Sequence, residues 1–327
     1  LLEAFALASR SRSAEHVWMR IDAAGALLVG LFFHVVRKTS EAHAPVICFR
    51  RLKEALPLFR AGTRIVLHML NSGENNTMLQ RRLGKKPARL DPRTYRLSTS
   101  LSFRLPAPPP TVNWAENVNW PMWCNDRLGC CTQVSVASAI RTWTGTALTP
   151  IVLSDEQVVA NYSAESGYVQ NEPSTDQGGV EVEVLSRWCR EGYDRPGQTR
   201  DYLTAFGYIN PRDTLSVHRA IAMLGGLYIG LSLPEYACSG NNDWVVDPSA
   251  DNSIAGGHAV WLHGYDSDWL YLNTWGGVRR MSYGFFTAHC DEAYGLISRQ
   301  NWTNLKGVSP ENETVDDLVE ELKSAAT

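Results

Sequence analysis

From residue 112 to residue 298 the apolar positions form one continuous globular pattern, and its period changes midway. Val134, Ala137, Ser138 and Ile140 recur at helical spacing behind Gly129-Cys130-Cys131, so a glycine turn delivers a cysteine to the start of a helix. Helical spacing returns over 155–162, and a loop over 165–177 is rich in Ser, Asn, Pro and Asp. Gly178-Gly179 then opens a further helix over 180–189, ended by Gly192. Residues 214–224 are amphipathic with a Thr or Ser cap, and Gly225-Gly226 breaks them before an apolar strand over 227–233. Strands are expected over 258–264, 269–273 and 283–286, with glycine-rich joints between them. Helices first and sheet afterwards predict an α+β protein with segregated halves.

The flanks read differently. An apolar run over 24–36 sits between Arg20 and Arg37-Lys38 and is shorter than the roughly 20 residues a spanning helix needs. No membrane segment is expected from it. It starts late for a signal-peptide core, and no small-x-small cleavage site follows it cleanly. The chain begins with Leu, and Gly73-Glu74 can be encoded by a purine-rich ribosome-binding sequence shortly before the codon for Met78. Residues 1–77 are accordingly read as translated upstream DNA, with translation expected to start at Met78. Residues 78–110 form a basic arm, solvated by expectation, carrying Arg81, Arg82, Lys85, Lys86, Arg89, Arg93 and Arg96 ahead of Pro106 and Pro108 to Pro110. Those prolines favour extended polyproline backbone and mark a domain edge. Residues 301–327 read as a polar tail with a short acidic helix begun at Thr314.

Composition narrows the function. The 327 residues are 44% hydrophobic, enough for one large core or two smaller ones. A net charge of -3 gives no whole-chain reason to expect a nucleic-acid partner. The 7 cysteines are odd in number and contain no C-x-x-C pair, which argues against both a structural zinc site and a complete disulfide framework. No metal or cofactor is called for. The expected location is cytoplasmic, or virion-associated if the gene belongs to a phage, with secretion left open.

A cysteine at a helix N-terminus is a candidate nucleophile, because unpaired N–H groups and the helix dipole favour its thiolate. A thiolate needs a base, and the base needs orienting. Among the 8 histidines, His258 follows Gly256-Gly257 and begins an apolar strand, so it can project into a cleft. One strand and a turn later come Asn273-Thr274-Trp275-Gly276, whose Asn273 amide oxygen can accept the imidazole N–H if the two strands are neighbours.

These residues resemble the papain-like cysteine peptidases. That family carries a nucleophilic Cys at a helix N-terminus, a G-H-A-V strand and an N-S-W-G strand end, in the order of Cys131, Gly257-His258-Ala259-Val260 and Asn273-Thr274-Trp275-Gly276. The separations from Cys131, 127 residues to His258 and 142 to Asn273, are close to the roughly 130 to 150 expected for papain-type partners. Pro110-Thr111-Val112-Asn113-Trp114 is similar to the start of the mature enzyme, and Gly178-Gly179 to the glycine pair lining the substrate cleft. The resemblance implies a two-lobed fold over 111–300, with a helical left lobe, an antiparallel sheet or barrel as right lobe, and the active site between them.

It also implies roles: Cys131 as nucleophile, His258 as base, Asn273 as its orienting partner, and Trp275 as a shield for that hydrogen bond. Asn125 stands where the family has an oxyanion-hole Gln. The implied activity is peptide-bond hydrolysis through an acyl-enzyme. The alternatives are a Cys-dependent amidase or transferase acting on another amide, such as a peptidoglycan cross-link, and a silent binding or phage structural module. Departures accompany the match. Cys130 is a second candidate thiol, although Gly129 two residues before Cys131 and Ser135 four after it favour Cys131. Thr132 replaces a Trp, the first Cys of the family motif and its disulfide are missing, and no long inhibitory pro-segment is evident. The short arm and missing disulfide look more like prokaryotic or bacteriophage relatives.

Overall fold

The computed structural model describes residues 81–301, apart from 90, 93, 98–106, 117 and 241, together with residue 320. The expectations for 1–77, including the apolar run, and for the helix from Thr314 thus lie outside the described residues, Glu320 excepted. The chain divides between Asn75 and Asn76, and every described residue belongs to the second unit.

Two short strands come first, β1 (Tyr95–Arg96) and β2 (Val112–Asn113). The helical half follows: α1 (Cys131–Thr146), α2 (Asp155–Ser166) and α3 (Glu181–Glu191). It is closed by the hairpin β3 (Tyr193–Arg195) and β4 (Gln198–Asp201). Then come β5 (Ala205–Tyr208), α4 (Thr214–Leu224), β6 (Leu227–Pro234), β7 (Ile254–Tyr265), β8 (Trp269–Thr274) and β9 (Gly277–Ser282). A short helix α5 (Tyr283–His289) leads into β10 (Cys290–Ile297). The main sheet runs β1-β5-β10-β6-β7-β8-β9, with β2 added on β7. All its pairs are antiparallel except β1 with β5. The expected α+β, two-lobed arrangement is the one observed.

Helix α1 is the axis between the halves. Residues from Cys131 to Ile140 are all buried, as expected of a helix packed on every side. The small side chains Ala137, Ser138 and Ala139 let the sheet approach it. Trp261 Nε1 on β7 donates to Thr142 Oγ1 at 3.1 Å, and Tyr228 OH on β6 donates to the Thr132 carbonyl at 3.0 Å. On the other side Trp143 stacks on Trp188 of α3 at 6.1 Å.

Several expectations change. Residues 283–286 are helical, not a strand, because Ser282 caps them by accepting from the Phe285 N–H. Helix α4 is capped by Asp213 rather than by Thr or Ser. The strand carrying His258 begins at Ile254 rather than at His258, so Gly256 and Gly257 lie within it and not ahead of it. The basic arm is not wholly solvated: Lys85 has a fully buried side chain, and Leu97 is buried. No helix among the described residues is long and apolar enough to cross a membrane.

Candidate active site

The turn before α1 presents two thiols in different directions. Trp123 and Cys124 both have positive φ, of 50° and 61°, a backbone state that costs energy for residues with a Cβ and persists only where the surroundings enforce it. Cys130 Sγ lies 3.5 Å from the Trp123 carbonyl, so its thiol ties this turn together from inside. Cys131, the first residue of α1, accepts instead from the Ala259 N–H on β7 at 3.4 Å. Only Cys131 faces the sheet. No side chain caps the N-terminus of α1, which leaves its first N–H groups to whatever occupies the cleft. Asn125 is buried beside this turn, its Oδ1 without a hydrogen-bond partner.

Asp176 holds the two walls in place, a role that sequence reasoning missed. Its carboxylate accepts from the Gly129 N–H at 3.0 Å and from Tyr162 OH at 2.6 Å. Tyr162 OH in turn accepts from the Gly178 N–H at 2.8 Å. The nucleophile turn and the glycine pair are thereby linked through one buried carboxylate in the polar loop.

His258 sits on β7 next to Ala259, fully buried. Its Nε2 lies 2.8 Å from Thr274 Oγ1, and its Nδ1 has no hydrogen-bond partner. Asn273 is not on this ring. In register Asn273 stands opposite Trp261, and residues opposite one another share a face of the sheet. It therefore faces α1, where its Nδ2 donates to Ser138 Oγ at 2.7 Å. His258, three residues from Trp261, takes the other face together with Thr274. Trp275 stacks on the imidazole, ring centroids 4.4 Å apart and planes 13° apart. It gets there through a two-residue turn between β8 and β9 in which Trp275 and Gly276 have φ of 47° and 71°. That is the turn whose twist suits a hairpin.

The cleft is filled by the chain's own arm. Lys85 N–H donates to the Gly257 carbonyl at 3.0 Å, Lys86 N–H to the Gly179 carbonyl at 2.8 Å, and the Gly179 N–H to the Gly84 carbonyl at 2.8 Å. Lys85 thus pairs in parallel with Gly179 on one wall and antiparallel with Gly257 on the other. The slot is one backbone wide: a Cβ on Gly84 would meet the Gly129 carbonyl at 1.8 Å, and one on Gly178 would meet the Gly84 carbonyl at 1.9 Å. The Arg81 guanidinium lies 4.5 Å over the Trp275 ring, and Arg82 pairs with Asp176 at 2.9 Å.

Burial sets the charge state of the pair. Burial pushes the Cys131 thiol up to about 11, against the opposing N–H groups of Ala259 and Gly84. Burial, with the guanidinium groups of Arg279 and Arg81, lowers the His258 imidazole to about 3. At neutral pH both groups are uncharged beneath the arm. Of the expected residues, the structure brings Cys131, His258, Trp275, Gly178 and Gly179 to the arm-filled cleft, and turns Asn273 to the helix.

By sequence, the chain matches no protein-family profile and no curated protein. By structure it is similar to xylellain, a cysteine protease from Xylella fastidiosa, at 17% identity and a TM-score of 0.53, over 66% of this chain and 96% of that one. It is also similar to digestive procathepsin L 3 of Tenebrio molitor larval midgut, at 16% identity and a TM-score of 0.46, over 68% and 78% of the two chains. The fold is that of the papain-like cysteine proteases.

Proposed function

We propose that the protein is a cysteine peptidase held silent by residues 81–86. The observation that supports this reading is the arm itself: the slot over Cys131 grips an extended peptide by backbone hydrogen bonds from both lobes. A site for another amide, such as a glutamine side chain, has no need of β-type pairing on two sides.

With the arm displaced, water reaches the pair and the penalty on their charged forms falls. His258, its Nε2–H donating to Thr274, takes the Cys131 proton on Nδ1. The thiolate attacks the carbonyl carbon of the peptide bond. The Cys131 N–H and the Asn125 amide stabilise the resulting oxyanion, a donor of that kind being worth about 3 kcal/mol. As the C–N bond breaks, His258 returns the proton to the leaving amine and leaves an acyl-enzyme thioester. Water, deprotonated by His258, then releases the acid and regenerates the thiol. Asn273 orients the same imidazole only if the ring or the strand end rearranges when the arm leaves. The arm itself escapes attack because it offers Cys131 the Gly84 N–H rather than a carbonyl carbon.

The test uses the full chain and its Gly84→Val variant, whose added side chain would collide with the Gly129 carbonyl and expel the arm. Gly84→Val should show faster alkylation of Cys131 at pH 7 by peptide mapping, with cleavage of fluorogenic peptides that disappears on adding Cys131→Ala. Fast alkylation without cleavage of any peptide would overturn the peptidase reading.

A further inference from the structure

Beneath the slot, between Gly179 and Gly257, lies an acidic pocket that the chemistry of Cys131 and His258 does not use. Lys85 fills it, and its ammonium lies 2.9 Å from Asp291 Oδ1, 3.0 Å from Glu292 Oε1 and 3.2 Å from the Lys86 carbonyl. The two carboxylates hold the ammonium as ion pairs and the Lys86 carbonyl accepts a hydrogen bond from it, while Glu292 Oε1 is left without a hydrogen-bond partner. Glu181, the first residue of α3, is also fully buried here, and neither of its carboxylate oxygens has a hydrogen-bond partner. Burial and the adjacent Glu292 push its carboxyl well above the usual range, against the pull of Lys85. The pocket thus holds more carboxyl oxygen than a lysine serves, since both oxygens of Glu181 and Oε1 of Glu292 have no hydrogen-bond partner.

Its opening depends on a glycine. A Cβ on Gly230 of β6 would meet Lys85 Cε at 2.0 Å and Glu292 Cγ at 2.8 Å. Any residue but glycine there would close the space that the lysine stem occupies. Any extended peptide gripped as the arm is gripped, between Gly179 and Gly257, delivers one side chain to this pocket.

We propose that the pocket formed by Glu181, Asp291, Glu292 and Gly230 selects substrates with a basic side chain, arginine ahead of lysine. The guanidinium has five donors in a planar fork and can serve Glu181 and Glu292 together, where the ammonium serves Glu292 and Asp291. An aliphatic side chain would leave the buried Glu181 carboxyl and Glu292 Oε1 without a donor, which is the more costly arrangement. The inference rests on the peptidase reading for its catalytic consequence but not for its binding one.

The full-length Gly84→Val protein should be given a library of tetrapeptide coumarylamides varied at each position. Arginine, then lysine, should be favoured at one position N-terminal to the cut, by about tenfold or more over leucine, the size expected of charge-assisted hydrogen bonds. Glu292→Gln should reduce kcat/KM for that arginine substrate about tenfold while sparing the leucine one, a split that general loss of folding would not produce. Gly230→Val should abolish the basic preference. A preference for leucine or phenylalanine at every position, or an arginine preference untouched by Glu292→Gln, would overturn the proposal. If nothing is cleaved, the peptidase reading fails alone, and fluorescence anisotropy on Gly84→Val/Cys131→Ala decides the pocket. An arginine peptide binding at least about tenfold tighter than its leucine analogue supports it, and equal binding refutes it. Should Gly84→Val not fold, Lys85→Ala, which removes the plug's anchor, carries the same assays.

Discussion

His258 is held by groups on its own face of the sheet, Thr274 below its edge and Trp275 across its plane. In the arm-displaced Gly84→Val protein, Thr274→Val should therefore lower kcat by about tenfold to hundredfold, some 1.4 to 2.7 kcal/mol of barrier, and shift the acid limb of its pH profile. Asn273→Ala should act first on stability, since its amide joins the sheet to Ser138 of α1. A larger fall in kcat for Asn273→Ala than for Thr274→Val would return the orienting role to Asn273. Glu165 makes a second prediction at this scale. It lies beside Gly179, with one carboxylate oxygen lacking a hydrogen-bond partner, and burial raises it to about 7 from 4.5. A raised carboxyl means that the folded state holds the proton longer than the unfolded state. Its contribution to stability is complete below about pH 4.5 and is lost as pH rises to about 7. Urea unfolding of Glu165→Gln across that window should lack this decline, and an unchanged slope would contradict the assignment.

The helices were readable from apolar spacing and from the glycine breaks at Gly192 and Gly225, but their caps were not. Helix α2 has Ser154 and Gln157 in a reciprocal capping box, with Gly167 closing it in the left-handed state at φ 76°. Removing the box by Ser154→Ala should cost about 1 kcal/mol in a urea titration, with an unchanged m value. Helix α4 was legible from its amphipathic spacing and its break at Gly225, φ 74°, while Asp213 takes the capping place expected of Thr or Ser. The stretch 283–286 misled because Tyr283, Phe285 and Phe286 carry strand-like side chains, and the deciding Ser282 cap is a single hydroxyl. Strands β9 and β10 carry Arg279, Arg280, Asp291 and Glu292, which spoil the apolar alternation that a sequence reading looks for. Those charges have partners from elsewhere in the chain: Asp243 for Arg280, and Lys85 for the acidic pair. Cys131, His258, Trp275 and the glycine pair were visible through short motifs. Asp176 and Thr274 were not, because their roles arise from a loop conformation and from strand register, which leave no mark on neighbouring residues.

At the scale of the whole molecule, the arm and the cleft share one buried charge balance. Lys85 keeps its proton despite burial because Glu181, Glu292 and Asp291 surround it, and Lys85 in turn pulls the buried Glu292 carboxyl down against the burial that raises it. Removing one partner of a buried ion pair costs about 3–5 kcal/mol when the other stays buried. Here the molecule has an alternative: releasing the arm lets water reach the carboxylates. Lys85→Met should consequently loosen the arm more than it destabilises the core. Cys131 alkylation at pH 7 should accelerate, and limited proteolysis should cut within residues 81–86, while the main urea transition moves little. Lys85→Arg should act in the opposite sense, because a guanidinium adds donors toward Glu181, and alkylation should slow below the parent rate. If Lys85→Met instead lowered the main transition by the full cost with Cys131 still protected, the arm would be an integral strand of the fold rather than a removable plug.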